Sequence, residues 1–130
     1  MSDQPPKSPS LRLVVIDDQE AFRVLAREIV AEHHGLTVVG EAESGEEDLR
    51  AVAELAPDAV LMDVEMPGMD GITAGREMRS KHPKVKVVLT SSYNTKSYAR
   101  EALLAGALAF IPKAGFTDDR LVRALLLGDD

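Results

Sequence analysis

The chain has no cysteine and no tryptophan, only two tyrosines and three phenylalanines, and its basic residues are in deficit, 15 Lys plus Arg against 22 Asp plus Glu. Each shortage excludes something. Without cysteine there is no disulfide, no thiolate nucleophile and no Cys-ligated zinc, so the usual grounds for an extracellular or zinc-finger protein are missing and the reducing cytoplasm is the expected compartment. A formal net charge of −7 removes the electrostatic basis for sequence-independent binding of nucleic acid or an anionic membrane, because cationic side chains drive both. No apolar run approaches the roughly 20 residues of a bilayer span. Residues 1–10 hold three of the seven prolines and no apolar stretch of the signal-peptide kind. They read as a disordered leader, followed by one domain over 11–127 and a short tail over 128–130.

What is present is an alternation of two periodicities. Short aliphatic runs at Leu11–Ile16, Leu36–Glu41, Ala59–Met62, Val85–Thr90 and Leu108–Ile111 predict strands covered on both faces. Helical spacing of apolar residues predicts helices over Glu20–Glu32, Gly45–Leu55, Ile72–Ser80, Thr95–Leu104 and Asp118–Leu127. Several starts are legible: a capping box at Ser44 and Glu47, Asp70 after the Pro67-Gly68 turn signal, and Thr117 before Asp118 and Asp119. Core stripes are expected from Tyr98, Ala99, Ala102 and Leu103 in the fourth helix and from Leu121, Val122, Leu125 and Leu126 in the fifth. Five βα units joined by right-handed crossovers make an α/β, flavodoxin-like doubly wound (βα)5 fold with parallel sheet order 2-1-3-4-5. Such sheets bind ligands above the strand C-termini, at the switch point between strands 1 and 3.

The residues at that point are acidic. Strand 1 runs into Asp17-Asp18 and strand 3 into Asp63, so the fold gathers three carboxylates on one rim. Singly, each is an ordinary helix cap or turn opener. Carboxylates crowded together repel one another, which calls for a cation. Two are at hand: Lys113, at the end of strand 5 on the same rim, and a hard divalent ion such as Mg²⁺, which takes carboxylates, a carbonyl, waters and phosphate oxygens. The stretch from Asp63 to Gly68 lacks the spacing of a calcium-binding EF-hand loop. His33, His34 and His82 fall away from the rim and are not expected to be ligands.

With these residues in this order, positions 11–127 resemble the receiver domain of bacterial two-component response regulators. The resemblance rests on Asp17-Asp18, on Asp63 followed by Glu65-Met66-Pro67-Gly68-Met69-Asp70-Gly71, on Ser91 after strand 4, and on Phe110 and Lys113 in strand 5. It implies that Asp63 is the phosphoacceptor, served by the phosphohistidine of a sensor histidine kinase, a phosphotransfer protein or a small phosphodonor. It also implies that Asp17, Asp18, Asp63 and the Glu65 backbone carbonyl hold Mg²⁺, and that Lys113 takes a phosphoryl oxygen. Ser91 would be the switch hydroxyl and Ser92 the small neighbour that leaves the phosphoryl group room, with Thr90 pointing to the opposite face. Phe110 is either the aromatic whose rotamer follows phosphorylation or plain core. Glu65 and Tyr93 match the two positions that flank the path of hydrolytic water and set the lifetime of the phosphorylated state. One departure stands in strand 5, where Pro112-Lys113-Ala114 replaces the frequent Lys-Pro and makes its cis bond impossible. That places the chain nearest the transcription-factor branch.

The resemblance further implies a signalling module that assists its own phosphorylation and dephosphorylation and is not otherwise an enzyme. Its output surface would be the helix 4, strand 5 and helix 5 face, carrying Lys96, Arg100, Arg120 and Arg123, offered to a downstream protein or to a second copy in a homodimer. Direct DNA binding and membrane association are not expected. No output helices follow Leu127, so the chain reads as a receiver without an attached output or as the start of a linker in a longer parent. The alternatives are a receiver-like docking or dimerisation module that takes no phosphate and, behind it, an aspartyl-phosphate phosphatase of the haloacid dehalogenase type. The latter wants Asp-x-Asp where this chain has Asp63-Val64-Glu65, and it leaves Asp17-Asp18 without a role. A flavodoxin is disfavoured because Asp17-Asp18-Gln19-Glu20 would repel the FMN phosphate.

Overall fold

A computed structural model describes residues 10–43, 45–66, 69–92 and 96–126, with the backbone alone for 45–49, 66, 69, 71, 96, 98 and 118. Strands and helices alternate: β1 Leu11–Ile16, α1 Glu20–Ala31, β2 Leu36–Ala42, α2 Gly45–Leu55, β3 Ala59–Asp63, α3 Gly71–Lys81, β4 Lys86–Ser91, α4 Lys96–Leu104, β5 Ala109–Pro112 and α5 Asp118–Leu126. The five strands form one parallel sheet in the order β2-β1-β3-β4-β5, the order expected from the βα alternation.

Alternation along the strands assigns each residue to a layer. Leu13, Val15, Leu61 and Ile111 face α1 and α5, where Phe22 and Leu121 complete a core. Val14, Ile16, Met62 and Leu89 face the opposite layer, meeting Val52 of α2, Met78 of α3 and Ala102 of α4. All five residues of β3 are buried, as a central strand covered on both sides must be.

Boundaries move by a residue or two. β3 extends to Asp63, β4 runs from Lys86 to Ser91 instead of Val85 to Thr90, and β5 from Ala109 to Pro112 instead of Leu108 to Ile111. Two short elements have no periodicity to announce them: an antiparallel ribbon of Glu65–Met66 with Met69–Asp70, and a 3-10 turn over Lys113–Gly115. Two stripe residues face outward, Leu103 at 49% exposed and Leu126 at 42%. The buried positions are Ala102 and, just past α4, Ala105, together with Leu121, Ala124 and Leu125 in α5. The expected caps at Asp70 and Thr117 form, accepting from the N–H of Ile72 at 3.0 Å and of Arg120 at 3.2 Å. The Ser44–Glu47 box, the Pro67-Gly68 turn, Thr95, the Tyr98 side chain, Leu127, residues 1–9 of the 1–10 leader and the tail over 128–130 lie outside the described residues.

Helix α4 stops at a Schellman motif, in which the Gly106 N–H donates to Leu103 O at 3.1 Å and the Ala107 N–H to Ala102 O at 3.0 Å. Gly106 has φ +99°, a conformation that L side chains resist. Gly106→Ala is therefore expected to lower stability by about 1–2 kcal/mol, read as a reduced midpoint in urea denaturation with an unchanged slope.

Candidate functional site

Strand register builds the site. Ile16 of β1 pairs with Met62 of β3, so Asp17 and Asp63 follow side by side. Asp63 in turn pairs with Thr90, and Ser91 with Pro112, which brings Lys113 to the same edge. Ligand oxygens of Asp17, Asp18 and Asp63 all lie within 4.8 Å of one another. Asp17 and Asp63 are buried and Asp18 is exposed.

Each carboxylate is partly satisfied. Asp17 Oδ1 accepts from the Gln19 N–H at 2.8 Å, an Asx turn that opens α1. Asp63 Oδ1 accepts from the Glu65 N–H at 2.9 Å and its Oδ2 from Lys113 Nζ at 3.2 Å. Lys113 Nζ also lies 2.8 Å from Asp17 Oδ2, but as an ion pair without hydrogen-bond alignment, and this buried oxygen has no hydrogen-bond partner. The Asp63 carboxyl is pushed above its ordinary value by burial first and by the neighbouring Asp17 charge. The Glu65 N–H and the Lys113 ammonium oppose these effects without cancelling them.

That environment fits a hard cation. Three oxygen-donor carboxylates converge, one buried oxygen lacks a hydrogen bond, and a single ammonium serves two buried anions. Carboxylate oxygen is the donor set of Mg²⁺, whereas the nitrogen and sulfur ligands preferred by zinc are missing from the cluster.

Other residues singled out in the sequence occupy distinct places. Ser91 is buried at the end of β4 and Ser92 is exposed just beyond it. By alternation Ser91 follows Leu89 onto the α3 and α4 layer, the side on which Phe110 packs, half-buried, across from Leu89. Thr90 lies on the other side, its hydroxyl donating to Ile111 O at 2.5 Å. Phe110 also lines a groove of about 430 Å³ between β5 and α5, with Arg120 and Arg123. Those arginines have local partners, Gly115 O for Arg120 at 3.4 Å and Asp119 for Arg123 at 3.8 Å. Tyr93 lies outside the described residues. The three histidines lie near the opposite, N-terminal ends of the strands: His33 and His34 precede β2, and His82 precedes β4.

Three contributors escaped the sequence reading. Gln19 Oε1 accepts from Lys113 Nζ at 2.8 Å, the Phe22 ring lies 4.7 Å beneath the same ammonium, and Arg23 Nη1 donates to the Asp17 carbonyl at 2.6 Å. Their only signal is closeness in sequence to Asp17-Asp18, and the apolar stripe of α1 assigns Phe22 to the core. It belongs there too, packing edge-on against Phe116 at 5.0 Å between centroids.

Residues 13–126 match the family model described as "Response regulator receiver domain". Among curated proteins, the response regulator GacA of Pseudomonas viridiflava is 40% identical over 118 residues, covering 90% of this chain and 54% of that protein. The protein-glutamate methylesterase/protein-glutamine glutaminase of Alkalilimnicola ehrlichii is 41% identical over 104 residues, 79% of this chain but 27% of the enzyme. The signal receiver domain of the putative response regulator NarL from Mycobacterium tuberculosis superposes with a TM-score of 0.83 at 33% identity, covering 92% of this chain and 95% of that one. The chain thus spans about half the length of the GacA relatives it matches, or less for the methylesterases.

Because the Asp63 carboxyl is raised from its ordinary 3.8, the native protein holds that proton more tightly than the unfolded chain. Ionised Asp63 then removes stability as pH rises from that value through the folded pKa, and the loss is complete above it. Asp63→Asn is expected to melt at a higher temperature than wild type at neutral pH in a chelator, with the gain shrinking as pH falls toward 4. Thermal denaturation across that range checks it, and equal melting temperatures at every pH would contradict the assignment.

Proposed function

The chain belongs to the response regulator receiver family, and on that membership we propose that it takes a phosphoryl group onto Asp63 from a phosphohistidine of a sensor histidine kinase or phosphotransfer protein, then signals by a conformational switch. One observation carries the reading: the carboxylate at the end of β3 is buried, lies 3.2 Å from the Lys113 ammonium and shares its pocket with Asp17 and Asp18.

In the transfer, an Asp63 carboxylate oxygen forms the O–P bond as the P–N bond of the phosphohistidine breaks, the electron pair leaving on the imidazole nitrogen. Asp17, Asp18, Asp63 and the Glu65 carbonyl are the residues to hold Mg²⁺, which when bound supplies the positive charge that lets two anions approach. Lys113 is already at Asp63 and takes a phosphoryl oxygen as charge builds. Ser91 donates to another, and Ser92 leaves room beside it.

A single charge-assisted hydrogen bond from Ser91 is worth about 1.5–3 kcal/mol, whereas inverting a 1:99 equilibrium takes about 5.5 kcal/mol. The switch therefore draws also on Lys113 and on repacking of Phe110, which shares a layer with Ser91 and borders the β5–α5 groove. Output runs through the α4, β5 and α5 face to a downstream protein or a second copy, in the cytoplasm. No helix among the described residues is long and apolar enough to cross a membrane. The chain acts as a signalling domain without further catalysis of its own. Glu65 and Tyr93 set the phosphoryl lifetime.

Incubation with a small acyl phosphate, with and without Mg²⁺, followed by intact-mass measurement tests the proposal. Wild type is expected to gain one phosphoryl group only with Mg²⁺, and Asp63→Asn none. No adduct on wild type from either an acyl phosphate or a phosphohistidine donor would leave a docking module. For the lifetime, Glu65→Ala and Tyr93→Ala are expected to change the dephosphorylation rate; rates identical to wild type would remove that role.

A further inference from the structure

The Asp17-Asp18 loop faces an energetic problem that Lys113 solves only in part. Its carboxylates are held against Asp63, so mutual repulsion pushes the loop outward, and one buried oxygen has no hydrogen bond to resist it. The Lys113 ion pair at 2.8 Å opposes part of this, and hydrogen bonds to the Asp17 backbone oppose more. The Asp17 N–H donates to Ala42 O at 3.0 Å, fastening one side of the residue to the end of β2. On the other side the Asp17 carbonyl accepts from Arg23 Nη1 at 2.6 Å.

Arg23 is itself fixed. It is 12% exposed, its Nε meets Glu41 Oε1 at 3.1 Å, and its Nη2 lies 4.0 Å from Glu43. Glu41 is braced by a second arginine, Arg27, at 2.5 Å. A planar guanidinium presents donors in several directions at once, which an ammonium on a flexible stem does not match. We infer that Arg23 is a positioning residue: it clamps the Asp17 peptide to the end of β2 and so holds the acidic loop in the arrangement that takes Mg²⁺. The inference rests on reading the pocket as a Mg²⁺ site. Its Mg²⁺-binding part is independent of whether Asp63 receives phosphate.

Calorimetric titration with Mg²⁺ alone, beside metal-free melting temperatures, separates positioning from simple support. Arg23→Met and Arg23→Lys are expected to raise the Mg²⁺ dissociation constant about tenfold, the lower end for loss of a group that orients a metal ligand. Glu41→Gln should shift it in the same direction, and a double variant with Arg23→Met should add less than the sum of the two, because they act as one unit. Arg27→Met is the control: it braces the same Glu41 and has no bond to Asp17, so its Mg²⁺ affinity should equal wild type even where its melting temperature falls. A lower metal-free melting temperature with unchanged Mg²⁺ affinity in Arg23→Lys and Glu41→Gln would overturn the inference, as would a wild type that binds no Mg²⁺. If Arg23→Met does not fold, those two milder variants carry the test. Normal Mg²⁺ binding by wild type without a phosphoryl adduct would instead count against the phosphoacceptor reading and leave Arg23 its role.

Discussion

The contact on which the rest depends is the Lys113 ammonium set between two buried carboxylates, 2.8 Å from Asp17 and 3.2 Å from Asp63. Parallel pairing of β1 with β3 makes Asp17 and Asp63 neighbours whether or not their charges agree. Lys113 arrives from the far side of β4, and two strand spacings separate β5 from β3 by about 9–10 Å. A long side chain is needed to cross that distance, and small Ser91 and Ser92 at the end of β4 suit a strand end that must be crossed. Gln19 and the Phe22 ring then hold the ammonium after its crossing. Neither carries a net charge, so the two hold the ammonium without adding another anion to the pocket.

Much of this was legible in the sequence because it depends on period and order. The 2-1-3-4-5 sheet follows from five βα repeats and the handedness of their crossovers, and the acidic rim follows from where β1 and β3 end. Short or small-residue features were not legible. Two-residue ribbon strands have no period, and the 3-10 turn at Lys113 looks like any strand end. Leu103 and Leu126 satisfy helical spacing as well as the residues buried in the same helices, since periodicity records which residues share a stripe and is silent on which stripe packs. Gln19 and Arg23 were missed for a different reason: both act through a backbone group or another side chain, and such roles leave no spacing to detect.

Thr90 and Ser91 show what alternation decides. Two hydroxyls stand side by side at the end of β4, and composition cannot rank them. The Thr90 hydroxyl is committed to the Ile111 carbonyl, stitching β4 to β5 on the α1 and α5 layer. Ser91 lies on the layer of Phe110, so a change at Ser91 and a change in that ring are felt by the same packed surface. Adjacent residues of one strand thus face different layers, Thr90 bonded to the edge strand and Ser91 on the side where Phe110 packs.

The acid surplus takes on a more specific meaning in this setting. A protein of net charge −7 is a poor general binder of anions, and burial beside Asp17 makes Asp63 reluctant to ionise. Both facts work against phosphoryl chemistry if the pocket is considered without a cation. A divalent ion on Asp17, Asp18 and Asp63 would make the same crowding useful, because the charge that disfavours ionisation of Asp63 is the charge that favours metal binding. The clamp from Arg23 to Glu41 belongs to this balance, since carboxylates that repel one another form a ready metal site only if the backbone beneath them is held.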